Sequence, residues 1–220
     1  MALLDRILDL VFPPKCKFCG ALVDRSSLDP CPKCPPGLWL EGPQAVVPGD
    51  HFARCVCAAW YTGALREEVK RFKFRNQPGH AKAYGPMLAR TIRFYLPGAY
   101  DLITWVPLSR ARLRQRGYDQ AMLLASAAAL ELDDVAAETL CKVRDTEAQS
   151  GLGKNDASRR ANVLSAYQVT DPALVEGRRV LLIDDIVTTG STLSECARVL
   201  RTAGATDVVC AALARSRRSC

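Results

Sequence analysis

The chain has 220 residues, 49% of them hydrophobic, and 30 basic against 23 acidic side chains give a net charge of +7. That apolar content fills one core with a small appendage and excludes a disordered chain, and no apolar run approaches the roughly 18 residues of a membrane helix. The positive balance permits a polyanionic partner, a sugar phosphate or a nucleic acid, without choosing between them.

The chain opens MALLDRILDLVFPP, with Leu3, Leu4, Ile7, Leu8 and Val11 apolar and Asp5, Arg6 and Asp9 among them. This is a poor signal peptide, so a cytoplasmic location is expected. It predicts a short amphipathic helix, docked on its own domain or on a membrane or partner surface. Ten cysteines follow. Without a secretory signal, metal binding is a better first reading than disulfides. Cys16-x-x-Cys19 and Cys31-x-x-Cys34 are two knuckles separated by eleven residues. Four thiolates in tetrahedral reach predict a structural Zn²⁺ site, in a proline-rich arm that lacks a core of its own. Residues 1–45 are therefore expected as helix and knuckle, and 46–220 as the main domain. Residues 41–50 are rich in Gly and Pro and read as a linker. Cys55 and Cys57 share one face of a predicted strand and read as core, as do Cys141, Cys196 and Cys210. Whether His51 joins Cys55 and Cys57 at a second metal stays open.

Further elements alternate. Ala53 to Tyr61 predicts a strand, and Ala64 to Phe74 a helix with Leu65, Val69 and Phe72 on one face. A second helix is expected over Ala81 to Leu96 and a buried strand over Leu102 to Val106. Residues 107–119 read as a long, flexible basic loop. In it Arg110, Arg112, Arg114 and Arg116 alternate, a spacing that aligns on one side of an extended segment and reads as an anion clamp, a solvated mobile loop or a nucleic-acid contact. A helix over Gln120 to Leu132 and short strands near Leu140 to Val143 and Val163 to Val169 come next. The pattern predicts an α/β fold with a mostly parallel sheet flanked by helices.

The last unit carries the most chemistry. Val180 to Ile183 reads as a buried strand, with Asp184 and Asp185 where it should end. Thr188, Thr189, Gly190, Ser191 and Thr192 form a hydroxyl-rich loop. Leu193, Cys196, Ala197 and Leu200 then recur at helical spacing, with Thr192 and Glu195 as a capping box and Gly204 as the stop. The loop lies where open α/β sheets bind ligands. A helix N-terminus with hydroxyl donors favours a phosphate, and a carboxylate pair accepts from vicinal sugar hydroxyls. The two together suit a ribose 5-phosphate. The patterns of a Walker loop and of a dinucleotide-binding loop are both absent.

The run IDDIVTTGST resembles the phosphoribosyl pyrophosphate (PRPP) motif of type I phosphoribosyltransferases. The two CxxC knuckles, Tyr61-Thr-Gly63, Lys73-Phe74, Val106-Pro-Leu-Ser109, Arg116-Gly-Tyr-Asp-Gln120 and Arg159-x-x-Asn162-Val163 recur in the order of the ComF family. Asp119 stands where that family more often has Asn, and the stretch between Gln149 and Asn162 is slightly extended. The resemblance implies a type I phosphoribosyltransferase-like sheet with a small N-terminal zinc-ribbon-like domain. It implies that Asp184 and Asp185 hold the ribose hydroxyls and that residues 188–192 hold the 5-phosphate. Residues 107–110, with Ser109 and Arg110, would face pyrophosphate, and Arg112, Arg114 and Arg116 would close on it. Asp184, Asp185 and Arg116 are the expected catalytic groups, with Mg²⁺ arriving on PRPP. The base-binding hood is expected around Tyr61 to Lys73 plus the knuckle. Three functions stay open: a phosphoribosyltransferase, a PRPP or nucleotide sensor, and a non-catalytic adaptor of DNA uptake that binds single-stranded DNA or competence-machinery proteins. The acceptor and the oligomeric state are not legible.

Overall fold

A computed structural model describes residues 13–23, 31–35, 37–144 and 165–217. The expected N-terminal helix, the stretch 149–162, the Arg159/Asn162/Val163 motif and Cys220 lie outside the described residues. The main sheet has five strands, β1 (Val46–Val47), β2 (Cys55–Trp60), β3 (Leu102–Trp105), β6 (Arg179–Val187) and β7 (Asp207–Arg215). Their order across the sheet is β1-β2-β7-β6-β3. Only the β1–β2 pair is antiparallel; β2–β7, β7–β6 and β6–β3 are parallel. A small antiparallel pair, β4 (Leu140–Lys142) and β5 (Tyr167–Val169), stands beside it.

Strand alternation sorts the core into two layers. Val56, Leu181, Ile183, Val209 and Ala211 face one cluster, and Cys55, Cys57, Val180, Leu182 and Cys210 face the other. The first layer is covered by α1 (Gly63–Phe74), α2 (Ala81–Tyr95) and α4 (Gln120–Glu131), and the second by α5 (Ser191–Thr202). The chain after β3 therefore turns to one face and the chain after β6 to the other. This divergence opens a crevice at the strands' carboxyl ends. Cys55, Cys57, Cys196 and Cys210 are fully buried and Cys141 is half-buried.

Four expectations are corrected. Residues 41–50 are no linker: Gly42–Ala45 is a 3-10 turn and Val46–Val47 adds a strand, with Ala45 and Val47 buried. Residues 107–119 are no continuous loop, because Arg110–Arg116 forms helix α3. Ser109 caps it by accepting from the Arg112 N–H at 3.4 Å, and Gly117 ends it at φ 81°. Arg, Leu and Gln are good helix formers between such caps. Third, β6 does not stop before the acidic pair but runs to Val187, because β7 pairs with it as far as Arg215. Fourth, α5 has no capping box: Gly190 is its N-cap, without a side-chain bond. Glu195 instead accepts from the Ser165 N–H at 2.7 Å and pairs with Arg198. The expected stop holds, with Gly204 left-handed at φ 98°.

Helices α2 and α4 touch at Gly85. A Cβ there would meet Ala127 Cβ at 2.6 Å and the Ala127 backbone at 2.8 and 2.9 Å. Backbone cannot rotate away as a side-chain tip can. Gly85→Ala should therefore destabilise the fold by about 1–3 kcal/mol, the usual cost of overpacking, despite alanine's better helix propensity. Urea unfolding measures this, and an unchanged midpoint would show that the helices separate freely.

Candidate active site

The crevice is a cavity of about 580 Å³. One wall is the overhanging end of β6 and the loop into α5: Asp184, Asp185, Thr188, Gly190, Ser191 and Thr192. The opposite wall is α3 with the start of α4, through Arg112, Gln115, Arg116, Asp119 and Gln120. Tyr61, Arg66, Lys73 and Phe74 close it from α1 and the preceding turn, and Lys142 and Tyr167 from β4 and β5.

Successive strand residues point to opposite faces, so the two carboxylates meet different surroundings. Asp185 turns to α1 and is buried, with both oxygens on Lys73 Nζ at 2.9 and 2.8 Å. Asp184 is half-buried, and its Oδ1 accepts the Asp185 N–H at 2.8 Å. Burial and then the charge of Asp185 push Asp184 well above the usual carboxylate range. Both residues bring carboxyl oxygens to the cavity, the donor atoms that Mg²⁺ takes once Asp184 is ionised and Lys73 is displaced from Asp185.

In the following loop, Gly190 sits at φ 81° and ψ 0°, a left-handed turn that costs other residues strain. Thr189 Oγ1 lies 2.7 Å from Ser191 Oγ, and the Ser191 N–H donates to it at 3.4 Å. The loop thus presents hydroxyls and a helix N-terminus to the cavity, a setting that attracts a tetrahedral anion.

Helix geometry redistributes the arginines. Arg112 and Arg116 are one turn apart and line the cavity, whereas Arg110 and Arg114 are exposed and outside its lining. Arg116 donates to Gln120 Oε1 at 2.7 Å, and its guanidinium lies 4.8 Å from the Phe74 ring centre. Ser109 is buried in its capping role and does not line the cavity, nor does Thr189. Asp119 Oδ2 accepts from the Leu108 N–H at 2.8 Å, and Oδ1 from Ala121 and Met122 at 3.0 and 3.1 Å. It fastens the turn after β3 to the start of α4 through both oxygens, which the amide of Asn cannot do.

Sequence reasoning does not reach Lys142, Tyr167 and Gln115 as cavity residues, nor the ion pair of Lys73. Only Lys73-Phe74 had left a motif to notice. Of the expected hood, Tyr61, Arg66 and Lys73 line the cavity, and none of the described knuckle residues does.

The knuckle is a separate site. The sulfur atoms of Cys16, Cys19, Cys31 and Cys34 all lie within 4.8 Å of one another. Two of the distances are 3.8 Å (Cys16–Cys34) and 3.5 Å (Cys19–Cys31). A tetrahedral zinc tetrathiolate has sulfur–sulfur edges of about 3.8 Å, so the cluster fits a metal. Burial raises the Cys16 pKa, but backbone N–H groups of Cys31, Phe18 and Cys19 outweigh it and bring the thiol to about 7.

The phosphoribosyl transferase domain family matches residues 118–220. Competence protein F of Haemophilus influenzae is 34% identical over 172 residues, covering 74% of this chain and 73% of that protein. The chain belongs to the ComF family. The DNA utilization protein YhgH of Escherichia coli K12 is 31% identical over 201 residues, 88% of this chain and 80% of that protein. Among solved structures, the glutamine PRPP amidotransferase from B. subtilis complexed with ADP and GMP matches at 25% identity and a TM-score of 0.42. That match covers 61% of this chain and 26% of the other. No helix among the described residues of this ComF protein is long and apolar enough to cross a membrane.

The elevated Asp184 sets a pH dependence. Its folded pKa lies above the unfolded value of about 3.9. Between the two, the folded state binds more protons than the unfolded state, so stability falls as pH rises through that window. Asp184→Asn keeps an oxygen for the Asp185 N–H and removes the buried charge. Thermal unfolding should show it more stable than the wild type at neutral pH, with the difference vanishing below about pH 4, where the wild-type carboxyl is protonated in both states. A variant less stable than the wild type at neutral pH would refute the burial argument.

Proposed function

We propose that the cavity binds PRPP or ribose 5-phosphate, and that the protein transfers the phosphoribosyl group to an acceptor that no residue here names. One observation supports this most: acidic pair, hydroxyl loop and paired arginines share a single cavity of about 580 Å³. The 5-phosphate would sit on the N–H groups and hydroxyls of residues 188–192. Asp184 and Asp185 would accept from the ribose hydroxyls. Arg112 and Arg116, opposite, would hold pyrophosphate through charge-assisted hydrogen bonds. Arg110, Arg114 and Ser109 reach it only if α3 moves.

In the reaction the acceptor's lone pair forms a bond to C1 of the ribose, and the C1–O bond breaks with its electrons leaving on pyrophosphate. Positive charge develops at C1 and negative charge on the leaving group. In this reading the acidic pair would face the ribose, where positive charge develops, and the two guanidiniums would face the leaving group, where negative charge develops. Mg²⁺, held by the carboxylates and the ligand's phosphate oxygens, would supply further charge neutralisation for the departing pyrophosphate.

Calorimetry with PRPP and ribose 5-phosphate tests this reading. Wild type should bind both, and Asp184→Asn with Asp185→Asn should lose a few kcal/mol of affinity, at about 1.5–3 kcal/mol per hydrogen bond to a charged group. Pyrophosphate release in an acceptor screen separates enzyme from sensor. Should neither ligand bind, the DNA-uptake adaptor becomes the better reading. The exposed Arg110 and Arg114 and the names of the relatives, a competence protein and a DNA utilization protein, favour it.

The knuckle, within an N-terminal module of residues 1–45, would hold one structural Zn²⁺ through Cys16, Cys19, Cys31 and Cys34. Structural zinc contributes about 10–16 kcal/mol of apparent binding energy in small modules. Purified protein should carry one equivalent, and Cys16→Ser with Cys19→Ser should lose it and lower the unfolding temperature. Less than about half an equivalent in the wild type, by metal analysis, would refute the site.

A further inference from the structure

We propose that Lys73 is a built-in counter-ion that competes with a divalent cation for Asp185, and so decides which ligands the acidic pair accepts without metal. The inference rests on reading the cavity as a ribose-phosphate site.

Lys73 lies in the last turn of α1, and Asp185 is 112 positions further along the chain. Its ammonium reaches both carboxylate oxygens, at 2.9 and 2.8 Å, with the two side chains only 18% and 11% exposed. This pair faces a cavity, so it is no ordinary surface ion pair. The neighbouring residue also fastens the end of α1: Phe74 lies under the Arg116 guanidinium at 4.8 Å. The negative end of the helix dipole favours a cation at this place. Lys73 is thus delivered to Asp185 by the fold.

A magnesium-like cation takes oxygen ligands and waters at short, rigid distances. An ammonium on both oxygens of Asp185 occupies the place such an ion would take, and two cations there repel. With Lys73 in place, Asp185 is neutralised and its remaining lone pairs can still accept from sugar hydroxyls. A ligand with one phosphate therefore needs no metal. A diphosphate ligand that brings a divalent cation must displace Lys73, and the released ammonium stays in a cavity it already lines, where phosphate oxygens accept from it.

The test titrates Mn²⁺ alone, without any phosphate ligand, by electron paramagnetic resonance. Lys73→Gln should bind Mn²⁺ roughly tenfold tighter or more, since an opposite charge at a carboxylate shifts its proton equilibrium by about 1–3 pKa units. Lys73→Arg should resemble the wild type. Adding Asp185→Asn to Lys73→Gln should abolish the gain, which a merely structural role for Lys73 would not produce. A folded Lys73→Gln variant with unchanged or weaker Mn²⁺ affinity overturns the proposal. Should that variant fail to fold, acetylation footprinting of the wild type decides. Lys73 should react slowly relative to the exposed Lys82 and faster once Mn²⁺ is saturating, and an unchanged rate overturns the proposal. Titrating the same variants with ribose 5-phosphate and PRPP keeps the two readings apart. Tightened Mn²⁺ binding with no binding of either ligand would sink the ribose-phosphate reading and leave Lys73 as the counter-ion.

Discussion

The chemistry of this molecule depends on a mismatch in strand length. β3 pairs with β6 only as far as Ile183, while β7 carries β6 on to Val187. One edge of residues 184–187 is therefore satisfied and the other is open. Both carboxylates sit in that overhang, one to each face, and the phosphate-type loop follows at once. Had β3 been as long as β6, its backbone would have filled the crevice. Had β7 been short as well, the acidic pair would have stood on a solvated loop with no fixed direction.

Placing two carboxylates there costs stability. Asp184 is pushed upward by burial and by Asp185, and Asp119 is pushed upward by burial although three backbone N–H groups pull the other way. The fold offsets this locally. Lys73 neutralises Asp185, the Asp185 N–H serves Asp184, and Asp119 joins the turn after β3 to the start of α4. Each offset is also a positioning contact.

The readable parts of the sequence were those whose signal is local. The run from Val180 to Leu200 carries its own strand, acidic pair, loop and helix, and these follow in the expected order, although the strand runs further and the helix is capped by Gly190 rather than by a Thr192–Glu195 box. The four cysteines likewise announced their cluster by spacing alone. In the arginine segment alternation suggests extension, but the caps Ser109 and Gly117 make it a helix. At helical spacing the four arginines split into two pairs, and only Arg112 and Arg116 reach the cavity. Residues 41–50 misled because Gly and Pro outvoted the apolar Ala45 and Val47. The contact from Lys73 to Asp185 was beyond local reading, since nothing near either residue names the other.

The remaining link runs from the knuckle to the cavity wall through aromatic packing. Trp39 and Phe18 lie 5.1 Å apart, Phe18 and Tyr84 5.4 Å, Tyr84 and Phe72 5.7 Å, and Phe72 and Tyr118 6.0 Å. Tyr84 also donates to the Lys17 carbonyl at 2.9 Å, and Tyr118 donates to the Phe72 carbonyl. Phe72 precedes Lys73, and Tyr118 lies between Arg116 and Asp119. Phe18 and Cys16 are buried in the same layer as Phe72 and Tyr84. The knuckle is therefore part of the support beneath α1 rather than an ornament on the surface. Four thiolates at these distances repel one another unless a cation sits among them. A cation held there would thus steady the wall that carries Lys73, because the knuckle and that wall share one core.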